Sequence, residues 1–186
     1  MARLTTFFNC SLDGFIEGRD GTFDWGAPTD EEHQYINDLI RPLGTYLYGR
    51  KNYETMAVWE KAEGPVFDSP VMQDFARIFR SAEKIIYSST LTTVSTAKTR
   101  IERRFDPEMV RQLKAKATKD LGIGGPGLAS AAWQAGLIDE VSMRICPVIT
   151  GGGKRAWPME VERQVELVDQ KRFGSGCVFL RYRVKN

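Results

Sequence analysis

The sequence predicts an α/β chain that alternates helix and strand as far as Leu137 and closes on strands alone, and three stretches carry that reading. Lys119 to Ser130, KDLGIGGPGLAS, runs from a short apolar segment through four glycines around one proline into a helix-forming segment of small residues. That order sets backbone N–H groups where a bound phosphate can lie. Thr45 to Tyr48 is a short β-prone run, and Gly49-Arg50-Lys51-Asn52-Tyr53-Glu54-Thr55-Met56 begins a helix directly after it. Gln164 to Arg172 and Cys177 to Val184 flank Gly174-Ser175-Gly176 and read as a terminal β-hairpin, with Val178, Leu180, Tyr182 and Val184 sharing one buried face.

The remaining elements follow in order. Leu4 to Ser11 favours a buried strand, and Ser11-Leu12-Asp13-Gly14 ends it with turn chemistry before Phe15-Ile16 resumes the apolar character. Glu17 to Pro28, with its glycines around Phe23 and Trp25, reads as a long loop of the kind that covers a site. Thr29 and Glu32 make a capping box for a helix over about residues 30–41, with Tyr35, Ile36, Leu39, Ile40 and Leu43 at helical spacing. Ser69 caps a second clear helix with Pro70 at its first position and Val71, Met72, Phe75, Ile78 and Phe79 inward. Glu83 to Tyr87 reads as a strand that ends in Ser88-Ser89-Thr90, hydroxyls at the carboxyl edge where open α/β sheets bind ligands. One further strand is expected around 94–101, and Asp106-Pro107 starts a helix with Met109, Val110, Leu113 and Ala117 inward. Residues 128–137 form a helix of small residues around Trp133, 141–149 is apolar at every second position, Thr150-Gly151-Gly152-Gly153-Lys154 breaks it, and Trp157-Pro158 marks a bend.

Composition bounds the function. A chain of 186 residues with 42% hydrophobic side chains is sized for one domain over residues 1–186. The formal net charge of +2 gives no reason to expect nucleic acid as a partner, and the basic cluster Arg100, Arg103, Arg104 is short and reads as solvated. Cys10, Cys146 and Cys177 are widely spaced without a CxxC pair, which argues against a disulfide framework or a zinc site and fits a reduced cytoplasmic setting. The apolar run at the amino end is too short for a signal peptide, and no segment has the length of a membrane span, so a soluble protein is expected.

Two glycine motifs invite nucleotide readings that fail on their context. Gly122-Ile123-Gly124-Gly125-Pro126-Gly127 satisfies G-x-G-x-x-G, but a Rossmann unit needs an acid at the end of a following strand, and Asp139 and Glu140 precede the next strand. Gly151-Gly152-Gly153-Lys154 is followed by Arg155 instead of the Ser or Thr that would meet magnesium, so it is no P-loop. With His33 the only histidine, triads and histidine metal sites are nearly excluded and no metal is expected. In the first turn of the helix after Gly49, Arg50 and Lys51 oppose the helix dipole, an unfavourable placement unless an anion is bound.

Gly49-Arg50-Lys51-Asn52-Tyr53-Glu54, Ile85-Ile86-Tyr87-Ser88-Ser89 and Ile123-Gly124-Gly125-Pro126-Gly127, in that order, resemble dihydrofolate reductase. With Ser11-Leu12-Asp13-Gly14, GTFDW at 21–25 and Pro147-Val148-Ile149 running into Gly151-Gly152-Gly153-Lys154-Arg155, the chain is more similar to the dihydrofolate-reductase-like family that includes the C-terminal reductase domain of the riboflavin-biosynthesis deaminase-reductase. The resemblance implies a three-layer fold, a mostly parallel sheet with helices on both faces, and a homodimer that binds NADPH across the carboxyl edge of the sheet. It implies that Gly49, Arg50, Lys51, Tyr53, Ser88, Ser89, Gly124, Gly125, Pro126, Gly127 and Leu128 meet the cofactor, with Arg50 and Lys51 toward its phosphates. Hydride would pass to a small pterin- or pyrimidine-like heterocycle or to a carbonyl or imine, and the alternatives are a true dihydrofolate reductase and a non-catalytic NADP-binding protein. On the substrate side the resemblance points to Trp25 and to Glu32, within the stretch matching the helix acid that holds a pterin. Asp13 is the candidate for binding or protonating substrate, its alternative role being that of an Asp serving its own turn. Phe15 stands where the riboflavin-type reductases carry a basic residue, which argues against a phosphoribosyl substrate.

Overall fold

The computed structural model of the chain describes residues 1–157 and 161–185. In chain order the elements are β1 (Leu4–Ser11), β2 (Phe15–Glu17), α1 (Asp30–Ile40), β3 (Leu43–Gly49), α2 (Arg50–Met56), α3 (Pro70–Ser81), β4 (Glu83–Tyr87) and β5 (Thr99–Glu102). They continue with α4 (Pro107–Lys116), β6 (Asp120–Gly124), α5 (Pro126–Gln134), β7 (Glu140–Cys146), β8 (Lys154–Arg155), β9 (Val165–Arg172) and β10 (Val178–Val184). Among the described residues, eight strands form one sheet in the order β5-β4-β3-β6-β1-β7-β10-β9, parallel from β5 to β7 and antiparallel across β7, β10 and β9. The short strands β2 and β8 pair separately and tie the loop after β1 to the loop after β7.

The period of two along each strand divides the sheet into two packed faces. Leu4, Leu47, Leu121, Ile123 and Val141 pack against Val110 of α4 and Ala132 and Trp133 of α5. On the opposite face Tyr46, Tyr48 and Ile86 meet Ile36 and Ile40 of α1, Tyr53 of α2, and Phe75, Ile78 and Phe79 of α3. The result is the three-layer arrangement with helices on both faces. The local signals explain the helix starts: Thr29 and Glu32 complete the capping box of α1, and the Ser69 hydroxyl accepts the Met72 N–H ahead of Pro70.

Some expectations need correction. Met109 is exposed instead of inward, because α4 presents Val110 to the sheet and turns its neighbour to solvent. The strand expected around 94–101 is Thr99–Glu102, and residues 92–98 form a loop pinned by the Tyr53 hydroxyl, which accepts the Ser95 N–H at 2.8 Å. The predicted bend at Trp157-Pro158 falls partly on Pro158, which lies outside the described residues.

One buried ion pair joins three segments that the backbone ladder leaves separate. Arg144 of β7 and Glu32 of α1 are almost fully buried, with guanidinium and carboxylate at 3.5 Å. Arg144 also donates to Asn9 Oδ1 at 3.0 Å, to the Gly26 carbonyl at 3.0 Å and to the Ala27 carbonyl at 3.3 Å, fastening the 24–27 loop to the sheet. The other Glu32 oxygen accepts a short hydrogen bond from Ser175 at the tip of the terminal hairpin. Burial alone would raise the Glu32 pKa, but the Ser175, Thr29 and Cys177 bonds and the Arg144 charge outweigh it and hold the carboxyl below its ordinary range.

Breaking this pair from one side leaves a buried charge, so Arg144→Met is expected to cost about 3–5 kcal/mol in urea unfolding, and the double variant with Glu32→Gln is expected to recover part of that loss. Because the folded-state pKa of Glu32 is depressed, its contribution is complete above the ordinary glutamate value and disappears as pH falls through the lower folded value. An acid titration of stability is therefore expected to be shallower for Glu32→Gln than for the parent chain.

Candidate active site

The carboxyl edge of the sheet brings two of the sequence motifs side by side. β3 and β6 are adjacent parallel strands with Tyr48 opposite Gly124, so α2 and α5 begin next to each other. Gly49 caps α2 and Gly125 caps α5, and neither supplies a side-chain hydrogen bond, which leaves the first N–H groups of both helices unclaimed by a capping side chain. Gly125 has φ of 93°, a conformation that favours glycine, and a Cβ there would lie 3.3 Å from Asn52 and 3.8 Å from the Gly49 nitrogen. Space is open above Gly127, where an added Cβ would meet nothing within 4 Å. Arg50 and Lys51 stand exposed at this edge, Arg50 only loosely paired with Glu54 at 3.6 Å. Uncapped helix starts, a glycine-lined approach and two cations suit an anionic group such as a dinucleotide pyrophosphate or ribose phosphate.

These residues open onto a cavity of about 1310 Å³ that runs from the carboxyl edge beneath α1. Its floor is β6, where the glycines at 122 and 124 are closely backed: an added Cβ at Gly122 would lie 2.9 Å from Leu43, and one at Gly124 would lie 3.0 Å from Asn52 and from Tyr48. Its walls are aromatic and aliphatic, with Phe7, Tyr46 and Tyr48 from the sheet, Ile36 and Leu39 from α1, and Trp59 and Phe75 opposite. Phe23, Val58 and Val66 form an exposed apolar rim. Trp25 lies in the wall with its Nε1 buried and, among the described residues, without a hydrogen-bond partner, as is Nδ1 of the buried His33. Burial lowers the His33 pKa, Asp30 opposing and Arg144 adding to the effect, so the imidazole is neutral at pH 7.

The predicted site residues therefore separate into two groups. Gly49, Arg50, Lys51, Gly124, Gly125, Pro126, Gly127, Leu128 and Trp25 line the one cavity. Asp13, Glu32, Tyr53, Ser88 and Ser89 do not. Asp13 is on an exposed turn, where it accepts the Thr150 N–H at 3.1 Å and the Gly151 N–H at 2.8 Å. The Ser11 hydroxyl foremost, with these two N–H groups, pulls its carboxyl down to about 2. Glu32 is turned toward Arg144 and the hairpin, Tyr53 ties α2 to the 92–98 loop, and Ser88 accepts the N–H groups of Thr90 and Leu91 in its own turn. Sequence reasoning missed His33 and Asn52 as cavity residues. For His33 the signal was present in the spacing: it sits three residues before Ile36, on the inward stripe of α1, whereas nothing in the sequence marked Asn52 as the side chain set against Gly124.

Comparison with known proteins agrees with this architecture. The RibD C-terminal domain matches residues 2–179 of the chain. The uncharacterized protein YyaP of Bacillus subtilis (strain 168) is 30% identical over 175 residues, covering 92% of this chain and 89% of that protein. A structure from Shewanella sp. PV-4 that carries a riboflavin-biosynthesis description superposes with a TM-score of 0.76 at 21% identity over the whole of both chains. The deaminase/5-amino-6-(5-phosphoribosylamino)uracil reductase of Thermotoga maritima superposes with a TM-score of 0.67 at 14% identity, over 99% of this chain and 57% of that one. Matched over nearly its whole length and folded as a mostly parallel sheet with a C-terminal antiparallel hairpin, the chain belongs to the RibD C-terminal domain family.

Proposed function

We propose that the protein is an NADPH-dependent reductase that passes hydride to a pyrimidine-like heterocycle. The observation that carries this reading is the pair of uncapped helix starts at Gly49 and Gly125, flanked by Arg50 and Lys51 and opening onto an aromatic cavity. Membership of a reductase-like family supports it. The first-turn cations, locally unfavourable against the α2 dipole, acquire a partner when the 2′-phosphate or pyrophosphate is present. The true dihydrofolate reductase reading has less support, because Glu32, the acid of the matching helix stretch, is held by Arg144, Ser175 and Thr29 outside the cavity.

NADPH supplies a hydride when bound, and the chain supplies position and dryness. Gly124, Gly125, Gly127 and Leu128 would meet the pyrophosphate through backbone N–H groups, and Arg50 would read the 2′-phosphate. Tyr46, Tyr48 and Phe7 give a flat apolar surface over the glycine floor, and Trp25 with the 24–27 loop excludes water from the opposite side. Asp13, ionised throughout the neutral range and occupied by the Thr150 and Gly151 N–H groups, pins the 150–151 loop and does not carry the proton. The proton reaches the substrate from water entering at the rim.

Three measurements test this. NADPH is expected to raise the melting temperature of the protein more than NADH does, and no shift with either would remove the cofactor from the reading. Arg50→Ala is expected to weaken NADPH by about tenfold or more while changing NADH little; equal losses would mean that Arg50 does not read the 2′-phosphate. Asp13→Asn is expected to slow hydride transfer by less than about tenfold in single turnover, whereas loss of a true proton donor costs about a hundredfold or more.

A further inference from the structure

Three cysteines that lie far apart in the sequence converge in the fold, Cys10 on β1, Cys146 at the end of β7 and Cys177 just before β10. Two of them share a face. Cys146 and Cys177 pack with Phe173 and Phe179 beneath α1, whereas Cys10 packs with Met143 and Ala156 on the other side of the sheet. The register pairs Val178 with Ile145, so one step further along it sets Cys177 opposite Cys146. The Cys177 carbonyl accepts the Phe173 N–H at 3.0 Å, toward β9, which makes its pairing across to β7 one without ladder hydrogen bonds. Pairs of that kind bring Cα atoms to about 4.5 Å and side chains closest together. A disulfide spans Cα separations of about 4.4–6.8 Å. The Cys146 and Cys177 thiols lie within hydrogen-bonding reach of each other, and the Cys10 side chain points away from both.

The surroundings of the two thiols divide their roles. The Cys177 S–H is one of the donors to the Glu32 carboxylate, so its proton has an acceptor at hand. Cys177 keeps 5% exposure and directly follows Gly174, Ser175 and Gly176, all exposed at the hairpin tip, so opening of that one turn admits a reagent the size of water. Cys146 is 1% exposed, and burial, opposed by the Arg144 charge, pushes its thiol up to about 12, so it stays protonated. A thiol with a base beside it and a second thiol behind it is the arrangement in which a sulfenic acid is captured as a disulfide before it is oxidised further.

We propose that Cys146 and Cys177 are a modification site, a dithiol that hydrogen peroxide converts to a cross-strand disulfide and that thereby withdraws one donor from Glu32. The Cys177 sulfur attacks one peroxide oxygen as its proton passes to Glu32; the O–O bond breaks, and the departing hydroxide recovers that proton and leaves as water. The Cys146 sulfur then attacks the Cys177 sulfenic sulfur, the S–S bond forms, the S–O bond breaks, and hydroxide leaves with the Cys146 proton as a second water. Each sulfur gives up one electron and the peroxide takes both. Glu32 keeps Ser175, Thr29 and Arg144 as partners but loses the Cys177 S–H. Arg144 shares itself between this carboxylate and the Gly26 and Ala27 carbonyls, and Trp25 packs against the cluster that holds both cysteines. Oxidation is therefore felt at the Trp25 wall of the cavity.

The test treats the unaltered chain with an equimolar amount of hydrogen peroxide and maps its cysteines by mass spectrometry without reductant. A peptide linking Cys146 to Cys177, a fall in free thiols from three to one per chain, and recovery of all three with dithiothreitol are expected. Absence of that peptide, or oxidation of Cys10 ahead of the pair, would overturn the proposal. In Cys146→Ala the Cys177 sulfenic acid is expected to persist and be trapped by dimedone, and Cys177→Ala is expected to leave Cys146 unlabelled; the reverse pattern would defeat the assignment of Cys177 as the attacking thiol. Tryptophan emission is expected to shift on oxidation and the shift to vanish in Trp25→Phe, whereas no shift, or one that survives in Trp25→Phe, would break the link to the cavity wall. The peptide map is made on the unaltered chain, so it decides the matter even where a variant fails to fold.

Discussion

The Arg144 to Glu32 pair is the constraint on which the 24–27 loop, the start of α1 and the terminal hairpin depend. A guanidinium almost fully buried in the sheet needs partners, and its two terminal nitrogens find them in Asn9, the Glu32 carboxylate and two carbonyls of the 24–27 loop. The long loop is thereby held to β7 by a charge-assisted bond instead of by hydrophobic contact alone. Glu32 in turn links the start of α1 to Ser175 in the terminal hairpin, so the antiparallel end of the sheet and the cavity wall respond to the same electrostatic balance. Among the described residues the Nε of Arg144 finds no partner, which leaves the network short of full satisfaction on one donor.

The edge where α2 and α5 begin rests on a different principle. Nothing there is charged by burial; the field comes from two short helices whose starts lie together because β3 and β6 are neighbours in a parallel sheet. Parallel pairing aligns the carboxyl ends of strands, and every right-handed crossover then begins its helix at that same edge. The adjacency of Gly49 and Gly125 is thus a consequence of topology, and the sequence contributes only the absence of side chains at the two helix starts.

The fold was legible because its signals are local and strong. Thr29 with Glu32, Ser69 with Pro70, and the glycines at 174 and 176 state their own geometry within four residues, and the alternation in β10 follows from residues that pack on opposite faces. The lining of the candidate site was legible where backbone chemistry makes it, at Gly49 and at residues 124–128, and illegible where a side chain has two credible partners. Asp13 and Glu32 both look like substrate carboxylates in the sequence, yet each finds its partners through contacts far along the chain: Thr150 and Gly151 for one, Arg144 and Ser175 for the other. The Ser88 hydroxyl serves its own turn at Thr90 and Leu91, and Tyr53 resembles the two acids, its hydroxyl committed to Ser95 in the loop that connects β4 to β5. No spacing rule in a single sequence reports a contact of that separation.

The glycine floor of β6 divides labour within the cavity. Its two inward positions are backed so closely by Leu43, Tyr46, Asn52 and Tyr48 that a side chain there would displace the wall behind it. Phe23, Val58 and Val66, by contrast, stand on loops and short turns at the rim, where substitution disturbs little packing. A chain built this way can change what it accepts by altering its rim while leaving its depth intact, so divergence in substrate among proteins of this architecture is expected to be written in their loops and silent in their strands.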